Sequence, residues 1–211
     1  MNDVEIVRIF VVFGMLAAAS YYDLRVRKVN DMLWVVFGSV GVFLYFFDWP
    51  SPSMLMWAAL EVSVAFSCWK LRLFGGADVL ALVTLSVILP IHDGAPVMMI
   101  VLAIALVLAS SYAVSVNSYR NLRTLIRNGK LFEELDESCH KKLIAFFLLH
   151  QRNDGESGFA AEAVIDGRRR FVFRHDPDHE SFGNCRYVTV AFPLMPFLLL
   201  GMVLFIGLVV F

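Results

Sequence analysis

The chain has 211 residues, a formal net charge of −1, 59% hydrophobic residues and a mean hydropathy of +0.69. A water-soluble domain of this length has no use for so much apolar surface, and a near-neutral chain carries no electrostatic footprint for nucleic acid. The composition predicts an all-α membrane protein that crosses the bilayer several times.

Six transmembrane helices are predicted, at residues 4–21, 32–47, 52–73, 78–91, 95–116 and 187–211. The first is read as a retained helix and not a secretory signal. It has no basic start, and it ends in "AAASYYDLRVRK" shortly before the next apolar run. Polar breaks separate the spans: "DLRVRKVND", "DWPSPS", "RLFGGAD" and "HDGAP". Pro50, Pro52, Pro90 and Pro96 mark the breaks after spans two and four.

Basic residues set the orientation. Arg25, Arg27 and Lys28 follow span one, and Lys70 and Arg72 close span three. The breaks after spans two and four hold no Lys or Arg, and every other basic residue except Arg8 lies beyond span five. Both termini are thus expected outside a plasma membrane. Tyr21, Tyr22, Trp34, Trp69, Tyr119 and Tyr187 fall near the expected inner interface, and Tyr45, Trp49 and Trp57 near the outer one.

Residues 117–186 are too long for a plain loop. They are expected to form a small cytosolic α+β insert between spans five and six, which leaves residues 1–116 and 187–211 as the membrane part. The stretch after Asn117 has helical spacing, with Gly129 as an end or interruption. "AVIDGRRRFVF" predicts two short strands joined at Asp166-Gly167, and "HDPDHESFGN" a polar loop. Cys68, Cys139 and Cys185 form no CxxC and are read as reduced thiols. Cys139, His140, His175, His179 and Cys185 match no standard zinc spacing, so no metal is expected.

Two carboxylates stand out by position. Asp23 sits where span one leaves the membrane, and Asp78 where span four enters it. Both lie on the side marked cytoplasmic by the basic residues. Span four is short, roughly 20 Å at 1.5 Å per residue, which places Asp78 below the membrane surface. Gly75 and Gly76 leave room for a close approach by a neighbouring helix. Two adjacent carboxylates share a proton, so one can activate a water while the other hydrogen-bonds a scissile carbonyl. Plainer roles exist for each alone: Asp78 as a helix cap, and Asp23 as a loop partner of Arg25 or Arg27.

"GGAD" resembles the GxGD motif of membrane aspartyl proteases, and "DLRVRKVNDMLW" resembles the first-aspartate motif of type IV prepilin peptidases, closest to the archaeal preflagellin (prearchaellin) peptidases. Asp31 and Trp34 suit that branch, as does "YVTVAFPLMPFLLLG" for its last span. Ala77 stands where the motif name has glycine. The resemblance implies Asp23 and Asp78 as the catalytic pair, with Gly75, Gly76 and Ala77 as motif backbone. It implies an archaellin or type IV pilin precursor as partner, its short basic signal peptide cut on the cytoplasmic face. No cofactor is implied. Without a zinc-binding cysteine segment or a nucleotide-binding glycine motif, cleavage is expected without methylation of the new N-terminus.

Further expectations follow from single residues. Arg8 and Glu61, inside spans one and three, are expected to pair in the membrane, because isolated charges there are costly, set against the plainer reading that Arg8 snorkels outward and Glu61 is protonated. Thr189 and Pro193 are expected to open span six; the resemblance implies them as candidate substrate-binding residues, set against the plainer reading of ordinary helix-start chemistry. The acidic run "FEELDE" at residues 132–137 is a candidate attractor for a basic signal segment, set against the plainer reading of a solvated helix face. Two other functions fit the spans: a non-enzymatic membrane scaffold or transporter subunit, and a signal-peptide-peptidase-like protease, for which "YYD" at residues 21–23 offers a superficial partner motif.

Overall fold

A computed structural model describes residues 2–71, 73–128, 131–132, 138–151, 158–160, 162–165, 168–171, 187–190 and 193–209. They are mostly helical and divide into two compact units, residues 1–108 with 193–211, and residues 109–192.

The first unit is a helical bundle. It contains α1 (Asp3–Val26), α2 (Asp31–Leu44), α3 (Pro52–Lys70), α4 (Gly76–Ile88), the start of α5 (Val97–Asn128) and α7 (Leu194–Val209). Local chemistry sets the ends. Arg27 turns left-handed (φ 57°) after α1 and returns its N–H to the Asp23 carbonyl at 3.2 Å. The Asn30 side chain caps α2 through the Met32 N–H, and the Ser51 side chain caps α3 through the Met54 N–H with Pro52 at the first position. Between α4 and α5, β1 (Ile91–His92) and β2 (Ala95–Pro96) form a hairpin. Its turn residues Asp93 and Gly94 both have positive φ, as a tight two-residue turn requires.

The core of this unit joins Val12, Met15, Leu16 and Ala19 of α1 with Leu82, Leu85 and Ile88 of α4, Val101 and Ala105 of α5, and Leu198, Met202 and Phe205 of α7. α1 packs along α7, and α4 packs on both α2 and α3. Glycine permits two close approaches. A Cβ on Gly41 of α2 would lie 2.7 Å from Ile88 Cγ1, and one on Gly201 of α7 would lie 2.7 Å from the Val101 carbonyl oxygen. The outside is unusually apolar: Phe10, Phe43, Phe46, Phe47, Leu55 and Phe66 are all exposed, while Arg8, Glu61 and His92 are buried. That inversion suits a hydrocarbon surround. Helices α1 and α5 are long and apolar enough to cross a bilayer, and α2, α4 and α7 are apolar but shorter.

Among its described residues the second unit holds the rest of α5, α6 (Cys139–Leu148) and five strands. Strands β3 (His150–Gln151), β7 (Tyr187–Val190) and β4 (Gly158–Ala160) form one antiparallel sheet in that order. Strands β5 (Glu162–Ile165) and β6 (Arg168–Phe171) pair antiparallel, with Ile165 opposite Arg168. Phe132, Ala145, Leu149, Phe171 and Tyr187 make a small core, with Phe132 ring contacts to Phe171 at 5.8 Å and Tyr187 at 5.1 Å. Asn117 and Asn121 donate from α5 to carbonyls at the end of α6: Asn117 to Phe147, and Asn121 to Phe146 and Leu149. Both asparagines are buried, so these bonds satisfy groups that water does not reach.

Several expected boundaries move. α1 continues past Tyr21 to Val26, so Asp23 lies within a helix and not beyond it. α5 does not end at residue 116. Its sequence contains no Gly or Pro up to Asn128, so nothing breaks the helix when the apolar run gives way to an amphipathic one. The last helix starts at Leu194 and not at 187, because "YVTV" is β-branched and aromatic and joins a sheet. Thr189 is therefore a strand residue opposite Phe159, and only Pro193 stands next to the helix start. Gly129, the Asp166-Gly167 turn, most of the acidic 132–137 run, and His175, His179 and Cys185 lie outside the described residues.

Candidate active site

Asp23 projects from the last two turns of α1, and Asp78 is the third residue of α4. Both are half-buried, and the two carboxylates are close enough for their charges to interact. Residues 55 positions apart in sequence are thus neighbours at one end of the bundle, because α1 packs against α4.

Each carboxylate is held by a backbone amide. Asp78 Oδ2 accepts from the Gly75 N–H at 3.2 Å, the helix-side half of a capping box. The capping role expected of an aspartate at this position is therefore present. It fixes the side chain and leaves the other carboxylate oxygen for other partners. Asp23 Oδ2 accepts from the Met195 N–H at 3.2 Å, at the start of α7. Arg25, considered as a partner for Asp23, instead hydrogen-bonds the Tyr21 hydroxyl and sits over the Tyr21 ring.

The two glycines differ. A Cβ on Gly75 would come within 3.3 Å of Asp78 Oδ2, tighter than ordinary contact, so the small residue keeps the carboxylate in place. Among the described residues, nothing lies within 4 Å of where a Gly76 Cβ would stand, so no close helix approach is seen there. Neither takes a left-handed φ, and the glycines contribute space and not unusual backbone. Ala77 is half-buried beside them, between Gly76 and the aspartate.

The expected Arg8–Glu61 pair does not form. Arg8, 2% exposed, lies 3.9 Å from Asp48 Oδ2, donates to the Asp48 carbonyl at 3.5 Å and stacks 4.5 Å above the Tyr45 ring. Glu61, fully buried, accepts from the Met98 N–H at 3.0 Å and the Met99 N–H at 3.4 Å. The start of α5 supplies two N–H donors to one Glu61 oxygen where a cation was expected. Nearby, the buried His92 Nδ1 meets Glu5 Oε1 at 2.6 Å. Among the described residues no three His, Cys, Asp or Glu side chains gather as a metal ion would need.

The Asp23 contact with Met195 was not foreseen. Its only signal in the sequence is a helix start bracketed by Pro193 and Pro196, which leaves few backbone donors in the first turn. Asp48, the partner of Arg8, was also missed; it is the sole acidic residue at the end of the second apolar run.

No curated protein sequence matches the chain. Residues 10–114, which contain Asp23, the 75–78 segment and Glu61, match the type IV leader peptidase family. With two neighbouring carboxylates on adjacent apolar helices inside the matched region, the chain belongs to the type IV leader peptidase family and is a protease of that kind.

Proposed function

We propose that the chain is a membrane aspartic endopeptidase that removes the short basic signal peptide from archaellin or type IV pilin-like precursors, with Asp23 and Asp78 as the catalytic pair. The observation that carries this reading is the placement of those two carboxylates, from α1 and α4, within electrostatic reach of each other. The family acts on pilin-type precursors, which supports the substrate class.

In this mechanism one carboxyl of the pair is ionised and the other protonated when substrate binds. The ionised carboxylate takes a proton from a water as that water's oxygen bonds to the scissile carbonyl carbon. The protonated carboxyl gives its proton to the carbonyl oxygen. The C–N bond of the resulting gem-diol then breaks as the proton held by the first carboxyl passes to the leaving amine, and one gem-diol hydroxyl returns its proton to the second carboxylate, which restores the starting pair. No covalent enzyme intermediate arises. Gly75, Gly76 and Ala77 form the backbone that carries Asp78. Pro193 stands beside the helix start that meets Asp23.

The chain is proposed to cross the plasma membrane six times, with both termini outside and the active site on the cytoplasmic side. The basic residues after α1 and at the end of α3 support that orientation. The spans then flank a cytosolic segment that lies between the apolar part of α5 and the start of α7 at Leu194. The test is cleavage of a precursor bearing a basic leader, in membranes containing wild type, Asp23→Asn or Asp78→Asn. Loss of cleavage in both variants is expected. Full cleavage by both sinks the mechanism and returns the scaffold or transporter reading.

A further inference from the structure

We infer that the backbone amide of Met195 is a positioning group for Asp23, so that the first turn of α7 sets the geometry of the carboxylate pair. This rests on the proposal that Asp23 is catalytic.

The amide donates to Asp23 Oδ2 at 3.2 Å across 172 positions of sequence. Met195 is the second residue of α7, where backbone N–H groups have no partner inside their own helix. Pro193 and Pro196 flank it, and neither has an N–H to offer. The turn cannot easily shift, because Leu194, Met195 and Leu198 are all buried in the bundle core. On the other side, Ala19 and Ser20 of α1 are buried just below Asp23, and α1 and α7 pack along each other. A rigid donor therefore meets a carboxylate on a rigid helix.

Asp78 is held in the same manner by Gly75, but from within its own helix turn. Each carboxylate thus commits Oδ2 to a backbone amide, and Oδ1 is the oxygen left for a shared proton, a water or a substrate carbonyl. The difference between the two is what controls them. Asp78 keeps its donor wherever α4 goes. Asp23 keeps its donor only while α7 stays against α1, so any displacement of α7 frees the Asp23 side chain to turn.

The test removes one N–H. An amide-to-ester replacement at residue 195, made by incorporating the α-hydroxy analogue of methionine during cell-free synthesis into vesicles, keeps the side chain and deletes the donor. A matching ester at Leu194 controls for the chemistry. The probe is a synthetic precursor peptide with a basic leader and an apolar helix. The 195 ester is expected to lower kcat about tenfold with KM within about twofold, as loss of a hydrogen bond to a charged group predicts, while the 194 ester stays near wild type. Wild-type kcat in the 195 ester overturns the inference. An equal loss in both esters, tracking a shared fall in thermal midpoint, also overturns it by making the contact structural only. Asp23→Asn runs alongside. If it retains full cleavage, the catalytic reading falls and takes this one with it. If it is inactive while the 195 ester is fully active, the positioning role alone is wrong.

Discussion

Glu61 accepts the Met98 N–H at 3.0 Å from a fully buried position, so an acidic side chain of α3 caps the start of α5 inside an apolar bundle. Two structural facts meet there. The first N–H groups of a helix have no partner in their own helix, and a buried carboxylate needs donors. Each answers the other. Glu61→Ala removes the acceptor and leaves buried amides unsatisfied, which is expected to destabilise the fold by about 1–3 kcal/mol. Glu61→Gln keeps an acceptor oxygen and should lose clearly less. Thermal unfolding of both variants in the same detergent measures the difference, and equal losses would show that the carboxylate's charge, not its oxygen, matters.

Gly75 and Gly76 separate by the space around them. A Cβ at 75 presses on Asp78 Oδ2 at 3.3 Å, whereas a Cβ at 76 meets nothing. Gly75→Ala is expected to lower kcat about tenfold through a displaced carboxylate, and Gly76→Ala to stay within about twofold. Cleavage rates of the two single variants decide it; similar behaviour of the pair would remove the argument from space.

Arg8 is buried against Tyr45 and Asp48. Arg8→Ala is expected to lower stability by about 1–3 kcal/mol, by opening a cavity and removing the cation from the Tyr45 ring. Asp48 is more than a third exposed, so Asp48→Asn should cost less. A double-mutant cycle on thermal midpoints checks whether the two effects are coupled. Strict additivity would remove the Arg8–Asp48 contact as an energetic term.

Gly201 faces backbone across its close contact, and Gly41 faces a side chain. Gly201→Ala cannot be relieved by a rotamer change, because the obstacle is the Val101 carbonyl oxygen 2.7 Å away. A loss of about 1–3 kcal/mol is expected. Gly41→Ala is expected to cost less, since its nearest obstacle, Ile88 Cγ1, can turn aside in part, while the Ile88 Cα stands farther off at 3.3 Å. Unfolding midpoints that rank the two glycines the other way would contradict the packing between α5 and α7.

Much of the fold was legible because its signals are local. Apolar runs end at Asn30, Ser51-Pro52, Gly75 and Pro90, and the helices α2, α3 and α4 begin or stop near those residues. The strands on either side of Asp166-Gly167 were legible from the hairpin signal of that dipeptide, and they pair as β5 and β6. Thr189 was misplaced because the same β-branched character was read as the start of an apolar span. Length decided against that reading, since four residues suffice for a strand edge and the helix proper begins at Leu194.

The candidate site divides in a similar way. Composition and spacing by themselves picked out Asp23 and Asp78, because a carboxylate at the rim of an apolar run carries a free-energy cost that calls for a compensating partner. The same reasoning marked Arg8 and Glu61 as residues in need of partners but chose the wrong ones. A sequence records how far along its helix a charge lies, not which way that helix is turned or which neighbour it faces. Tertiary packing made those choices: Asp48 and Tyr45 for Arg8, the start of α5 for Glu61, and the start of α7 for Asp23. Backbone amides at helix starts are invisible to any reading of side chains. They become partners only when another helix packs its carboxylate against them.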